Sequence, residues 1–223
     1  MSKNLNEIAV LTSGGLDSAI LLADLAATNK TYPIYVRSGL RWENEEMRSL
    51  KNFIDSLENP LISEIVTLSI DGSVLYGLDH WSLKGRVPTY DAPDKEVYIP
   101  GRNLILIGLA AIWCSTHNIS SIFLGSLKDN PFPDASDEFI GNYSKVLKDG
   151  LNINISVKAP YKGKSKVDLI KKFDHLPLHK TITCMQPVGM IHCNACNKCK
   201  ERRDAFAKAG IQDKTKYNHE GSL

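Results

Sequence analysis

Long hydrophobic runs are missing from this 223-residue chain. The most apolar stretch, residues 104–114, has eleven residues, against the ~20 that a membrane-spanning helix needs. The first ten residues, MSKNLNEIAV, hold no apolar leader core ahead of the first strand-like segment, so a secretory signal is not expected. An excess of one charge is missing too: 27 Lys and Arg stand against 25 Asp and Glu, a formal net charge of +2. Such a weak field gives no reason to expect a nucleic-acid partner, and no membrane partner is expected either. Internal repeats and low-complexity tracts are absent. Cysteine is scarce outside one cluster: four of the five lie between 184 and 199, and Cys114 stands alone in an apolar segment. What is present is an ordinary globular composition, 43% hydrophobic and 23% charged. The chain is long enough for one sizeable core with a small appendage, and a cytoplasmic enzyme is the expectation.

The rest of the chain is organised around residues 7–22, EIAVLTSGGLDSAILL. Residues 8–11 are an apolar run of strand length. Thr12, Ser13, Gly14 and Gly15 break the run, and Leu16, Asp17 and Ser18 open a segment with apolar residues at Ile20, Leu21, Ala23 and Leu25. The order reads as buried strand, tight turn, helix N-terminus. Adjacent glycines let the backbone bend so that several N–H groups face one anion, and the helix start adds its own unpaired N–H groups. A phosphate or pyrophosphate suits such a turn; the plainer reading is a strand-to-helix connection that serves packing alone. No lysine follows the glycines, which excludes the GxxxxGK[ST] loop of the P-loop NTPases.

Beyond the turn, strands and helices alternate. Residues 31–36 read as a second strand and 43–57 as an amphipathic helix, with Met47, Leu50, Phe53, Ile54 and Leu57 on one face. Glu43, Glu45 and Glu46 suit the positive end of that helix dipole. Residues 62–68, 121–125 and 153–157 read as further strands, the asparagines of the last marking a sheet edge, and 137–147 and 165–173 read as helices. The alternation predicts an α/β fold with a doubly wound, mainly parallel five-stranded sheet. Residues 69–96 interrupt it with Gly72, Gly77, Gly85, Pro88 and Pro93, a connection of the length that functional loops have. Tyr76, His80, Trp81 and Arg86 in this loop are candidate substrate contacts, although none sits in a motif. Residues 104–117 form an apolar helix, and Arg102 and Asn103 behind Gly101 can meet an anion or a ring edge; a simple helix cap is the alternative for Asn103. The basic turn 160–164 brings Lys164 within reach of phosphates, or leaves it in solvent.

Cys184, Cys193, Cys196 and Cys199 are spaced by 9, 3 and 3 positions. A CxxCxxC run with one remote cysteine can furnish four thiolates to a tetrahedral zinc, and such a closed set makes the metal structural. An iron–sulfur cluster is the rival. Residues 200–209 read as a basic helix closing the domain, with Lys198, Lys200, Arg202 and Arg203 offsetting the thiolate charge. The expected division is an α/β domain over 1–175 and a small C-terminal zinc-binding helical subdomain over 176–223.

The SGGLDS turn resembles that of the PP-loop ATP pyrophosphatases. Taken in order with PGRN before the central helix, the loop PFPDASDEF and Cys-x8-Cys-x2-Cys-x2-Cys, it resembles the 7-cyano-7-deazaguanine synthase family, and the likeness covers nearly the whole chain. The resemblance implies a C–N bond-forming ligase that uses ATP with Mg²⁺ and holds a structural zinc on the four cysteines. Its substrates would be 7-carboxy-7-deazaguanine and ammonia. The carboxylate attacks the α-phosphate of ATP and releases pyrophosphate, ammonia displaces AMP to give an amide, and a second ATP activates the amide for dehydration to the nitrile. ATP would meet Thr12, Ser13, Gly14, Gly15, Leu16, Asp17 and Ser18, with Arg102, Asn103 and Lys164. Ser13, Asp17 and Ser18 would carry the catalysis, and Arg37, Trp42, Phe132 and Asp134 would contact the substrate. A homodimer is compatible with the resemblance.

Two stretches depart from the family pattern. Ala135 and Ser136 stand where the family has Cys-Arg, and residues 37–42 (RSGLRW) replace its Tyr-Gly-Gln-x-His segment. These departures leave open a ligase that couples a deazaguanine-type carboxylate to another amine, such as a partner protein, with Arg37, Arg41 or Trp42 recognising the altered substrate. A non-enzymatic zinc-containing nucleic-acid module is a third reading, disfavoured by the intact SGGLDS and the small net charge.

Overall fold

Ile8, Ala9, Val10 and Leu11 are all buried, as a central parallel strand covered on both faces requires. They belong to β1 (Glu7–Leu11) in the computed structural model, which describes residues 5–218. The other strands are β2 (Lys30–Arg37), β3 (Val66–Ser69), β4 (Ser121–Phe123) and β5 (Ser156–Lys158). Their order is β3-β2-β1-β4-β5 and every pairing is parallel. The sheet is therefore the doubly wound α/β arrangement that the alternation predicts, with β5 at an edge. From β1 the chain builds outward through β2 to β3, then returns to lay β4 on the other side of β1. The carboxyl ends of β1 and β4 diverge at this switch point, where open α/β sheets bind ligands.

The helices are α1 (Leu16–Leu25), α2 (Glu43–Leu57), α3 (Gly72–Tyr76), α4 (Arg102–Thr116), α5 (Asp137–Leu151), α6 (Lys166–Lys172) and α7 (Asn197–Ala209). Period-two alternation along β1 divides the core between the two faces of the sheet. Ile8 and Val10 pack with Leu50 of α2, Leu169 and Ile170 of α6 and Phe206 of α7. Ala9 and Leu11 pack with Ile107 and Ala111 of α4 and Ile140 and Leu147 of α5. A third cluster joins the four cysteines to Trp42, Leu83, Val87 and Ile182.

Three strands differ from expectation by two residues or more at their ends, and β4 stops at Phe123, two short of residue 125. Ile62 makes only a single bridge, to Thr31, and the ladder resumes at Val66, opposite Ile34, so β3 starts four residues later. Asn152 adopts a left-handed conformation that ends α5, and the Ile153 N–H donates to the Lys148 carbonyl. That helix closure removes Ile153 from β5. The 69–96 connection is not a free loop: it carries α3, Thr89 bridges Cys196, and the Asn197 amide donates to the Ala92 carbonyl at 2.6 Å. Residues 1–4 and 219–223, the outer ends of the two expected units, lie outside the described residues.

Candidate functional site

Residues 12–18 turn at the carboxyl end of β1. The Ser18 hydroxyl closes the turn: it accepts from the Ser13 N–H at 3.1 Å and lies 3.1 Å from the Gly15 carbonyl. The N–H groups of Leu16, Asp17 and Ser18 open α1 and lack intrahelical acceptors, leaving donors at the positive end of the helix. Gly14 has φ +71, and a Cβ there would lie 2.3 Å from the Glu46 carbonyl oxygen. Its own carbonyl accepts from the Ile182 N–H at 2.9 Å, with the Ser49 hydroxyl 3.0 Å away. The first glycine thus serves both the left-handed turn and the close approach to α2, while Gly15 is the extended N-cap of α1. Gly14→Ala combines a left-handed backbone with a backbone clash, and is expected to cost about 2–4 kcal/mol; urea denaturation checks this, and an unchanged midpoint would contradict it.

Asp17 and Lys166 continue the site away from the turn. The Lys166 ammonium lies 3.1 Å from Asp17 Oδ2 and 2.5 Å from Glu201 Oε1, and Lys198 completes the chain at 2.6 Å from Glu201 Oε2. Burial pushes the Asp17 carboxyl above its usual range, with Lys166 opposing. Burial acts on Glu201 in the same direction, but Lys166 and Lys198 outweigh it and hold its carboxyl at about 2. Burial would lower the pKa of Lys166; Asp17 and Glu201 reverse this and keep the ammonium charged. Asp17 Oδ1 is buried without a hydrogen-bond partner, and so is the Ser126 hydroxyl across the switch point. Both residues line one cavity of about 570 Å³.

The opposite wall of that cavity comes from α2, α4 and the loops. Gly101, at φ +68, turns the chain into α4, and Asp134 caps the helix by accepting from the Asn103 N–H at 2.9 Å. Asn103 is therefore not the cap; its side-chain amide also points to Asp134, at 3.4 Å. Tyr98 stacks on Phe132 with ring centroids 4.9 Å apart, and Trp42 stacks on Trp81 at 5.8 Å. All four rings line the cavity, as do Arg102 and Glu46. Glu46 is 8% exposed and accepts from the Tyr35 hydroxyl at 2.8 Å. Burial pushes its carboxyl up to about 7, against the pull of Arg102 and of hydrogen bonds from Tyr35 and Trp42.

The structure brings most of the expected residues together. Thr12, Ser13, Gly15, Leu16, Asp17 and Ser18 line the cavity, and so do Arg102, Asn103, Trp42, Phe132 and Asp134. Three expected contacts lie elsewhere. Gly14 packs on α2, Lys164 is exposed, and Arg37 turns to α2, where it approaches Asn44 at 3.4 Å and Glu43 at 3.9 Å. Lys166, two positions after Lys164, is the lysine at the turn. A capping box sets this phase: the Ser165 and Asp168 side chains each bond to the other's backbone, which fixes Lys166 as the first residue of α6. Ser165 followed three positions later by Asp168 is the sequence signal that locates it. Glu46, Tyr35 and Ser126 are further wall residues that sequence reasoning missed. Of the loop candidates, Trp81 reaches the cavity, Tyr76 bonds the Pro100 carbonyl, His80 bonds Ser82 and Arg86 faces a separate surface groove.

The four cysteines are buried and their sulfur atoms all lie within 4.8 Å of one another. Cys193 and Cys199 sulfurs are 3.9 Å apart, and those of Cys196 and Cys199 are 3.5 Å apart. Ligands at about 2.3 Å from a tetrahedral ion stand roughly 3.8 Å from each other, so the set fits a metal. Backbone N–H groups of Gln186 and Cys193 point at the Cys184 sulfur, at 3.3 and 3.2 Å. The nearby cations are held in other contacts. Lys200 pairs with Asp91, Arg203 with Asn194, and the buried Arg202 donates to Thr181, Thr215 and the Leu178 carbonyl. Cys114 lies on the core face of α4, and burial pushes its thiol up to about 12, out of nucleophilic use.

A parallel sheet whose switch-point cavity faces the glycine turn of residues 12–18 defines an α/β protein of the PP-loop type. The family model described as queuosine biosynthesis protein QueC matches residues 7–210, and the chain belongs to that family. Three relatives are each named 7-cyano-7-deazaguanine synthase. The one from Methanocaldococcus jannaschii is 28% identical, over 92% of this chain and 96% of its own. That of Methanococcus maripaludis is 30% identical over the same shares, and that of Acetivibrio thermocellus 30% identical over 93% and 96%. Among the described residues, no helix is long and apolar enough to cross a membrane.

Proposed function

We propose that the chain is an ATP-dependent ligase that converts 7-carboxy-7-deazaguanine and ammonia to 7-cyano-7-deazaguanine through an acyl-adenylate and an amide. The observation that carries this reading is a single cavity in which an anion-binding turn opposes stacked aromatic rings and buried acids. Its volume, about 570 Å³, is in the range of small-ligand sites. The ring pairs suit planar bases, and the names of the relatives suit the same substrate. The N–H groups at the start of α1 receive the phosphates, and the Ser13 and Ser18 hydroxyls hold the shape of the turn. Asp17 Oδ1 and the Ser126 hydroxyl, unpartnered and buried, are groups that a nucleotide with its Mg²⁺ would satisfy. Mg²⁺ supplies charge neutralisation of the leaving pyrophosphate. Arg102 brings positive charge to the reacting carboxylate, and the four cysteines hold a zinc that serves structure alone. Four reduced thiols suit the cytoplasm.

The test is mass spectrometry of products from ATP, Mg²⁺, ammonium and 7-carboxy-7-deazaguanine. Amide and nitrile with accompanying pyrophosphate are expected; their absence with metal-replete protein overturns the reading. One observation favours a second reading, in which the amine belongs to a partner protein. Val74, Leu75 and Leu78 are 80%, 56% and 55% exposed beside the ring chain of Tyr76, His80 and Trp81 that leads to the cavity wall. An exposed apolar patch of this kind suits a docked chain. Pyrophosphate release that requires a partner and ignores ammonium would select that reading.

A further inference from the structure

Among the described residues, Asp134 and Glu46 are the cavity-lining acids buried over the whole residue; Asp17 is buried at Oδ1 and pairs with Lys166 through Oδ2. Asp134 is engaged by the first turn of α4. Glu46 caps no helix: its Oε2 accepts from the phenol of Tyr35 at 2.8 Å, and Trp42 donates a further hydrogen bond to its side chain. Its helix touches the nucleotide turn directly, since the Glu46 carbonyl is the atom that excludes a side chain at Gly14. The charged and titratable groups around the carboxyl are Tyr35 on β2, Glu43 on its own helix and Arg102 on α4; towards the turn its neighbour is the Gly14 backbone.

We propose that the Glu46 carboxylate is the base that takes the proton from the amine as it attacks the acyl-adenylate. This rests on the ligase reading above. In the step, the amine nitrogen bonds to the carbonyl carbon and the bond from that carbon to the adenylate oxygen breaks. AMP leaves with the electron pair, and the proton on nitrogen passes to Glu46, which releases it to solvent. A carboxyl held at about 7 by burial exists in both forms at neutral pH, as a proton acceptor that must turn over requires. Tyr35 keeps its own proton, because burial and the Glu46 charge raise its pKa, and so stays a donor that orients the carboxylate.

Two half-reactions separate the proposal from its premise: carboxylate-dependent exchange of pyrophosphate into ATP, and single-turnover aminolysis of preformed adenylate. Glu46→Gln is expected to keep exchange near the wild-type rate while aminolysis falls about 100-fold or more. Plotted against free ammonia, wild-type aminolysis is expected to decline on the acid side of a pH near 7, and Glu46→Gln to lack that limb. Tyr35→Phe removes a hydrogen bond that lowers the Glu46 pKa, so its limb is expected to move to higher pH. Unchanged aminolysis in Glu46→Gln, a parallel fall in both half-reactions, or an unmoved limb in Tyr35→Phe overturns the proposal alone. Absence of exchange in the wild type overturns the ligase reading and the proposal with it.

Discussion

Replacing Asp17 by alanine is expected to reduce pyrophosphate release at least 100-fold while the melting temperature stays close to wild type. The two effects separate because Asp17 has one structural contact that is duplicated and one oxygen that is not used. Lys166 keeps Glu201 at 2.5 Å when Asp17 is gone, so the tie between α6 and α7 survives. Asp17 Oδ1 is a buried acceptor without a partner, and such a group costs about 1–3 kcal/mol. Its removal offsets the lost pairing of Oδ2. Activity has no such compensation, since on the ligase reading Asp17 Oδ1 would help hold the Mg²⁺ that offsets the charge of the leaving pyrophosphate, and losing one preorganised group of this kind costs about 10²–10³ in rate. Asp17→Asn keeps the shape and loses the charge, so it should match the alanine variant. A coupled pyrophosphate assay and a thermal melt measure the two effects; normal turnover in either variant would remove Asp17 from the chemistry.

Cys196→Ser is expected to lose bound metal and folded protein together. Cys196 supplies one of four sulfurs, caps α7 through its carbonyl, which accepts from the Cys199 N–H at 3.0 Å, and bridges Thr89. Structural zinc sites contribute an apparent ~10–16 kcal/mol, comparable with the ~5–15 kcal/mol that separates folded from unfolded domains. Elemental analysis should give about one zinc per wild-type chain and far less for the variant, with a melting temperature lowered well beyond the few degrees of an ordinary surface change. A chelator should do the same to the wild type. Colourless protein is expected; visible absorption from iron would assign the cluster to iron–sulfur chemistry instead. A stable, metal-free Cys196→Ser with full activity would contradict the structural role.

The glycine turn and the cysteine set were legible because each is local: a strand, a glycine pair and a helix start are contiguous, and three of the four cysteines lie within seven residues. The sheet followed from alternation, and β5 was recognisable as an edge. The far wall was not, because it is assembled from β2, α2, α4 and a 3-10 turn that are distant in sequence. Glu46 illustrates the difficulty. Three acids at a helix start are already explained by the helix dipole, and only the packing of α2 against Gly14 turns Glu43 and Glu46 inward. Lys164 and Lys166 illustrate the reverse case. Both are basic residues near a turn, and the choice between them depended on a cap that was readable in Ser165 and Asp168.

The pairing of Glu201 with Lys166 has a consequence for how distant parts of the molecule are coupled. Every strand among the described residues and the glycine turn lie before residue 159, and Lys166 soon after, yet its second acid is Glu201 in α7, two positions beyond Cys199. Groups far apart in the chain therefore complete one line of ion pairs, with Asp17 opening α1, Lys166 opening α6 and Glu201 in α7. Removing Glu201 would leave Asp17, at 3.1 Å, as the remaining acid paired with Lys166 among the described residues. The cysteine cluster and the turn of residues 12–18 are thus tied through one lysine, and a variant that loosens α7 is expected to alter the charge balance at Asp17 as well.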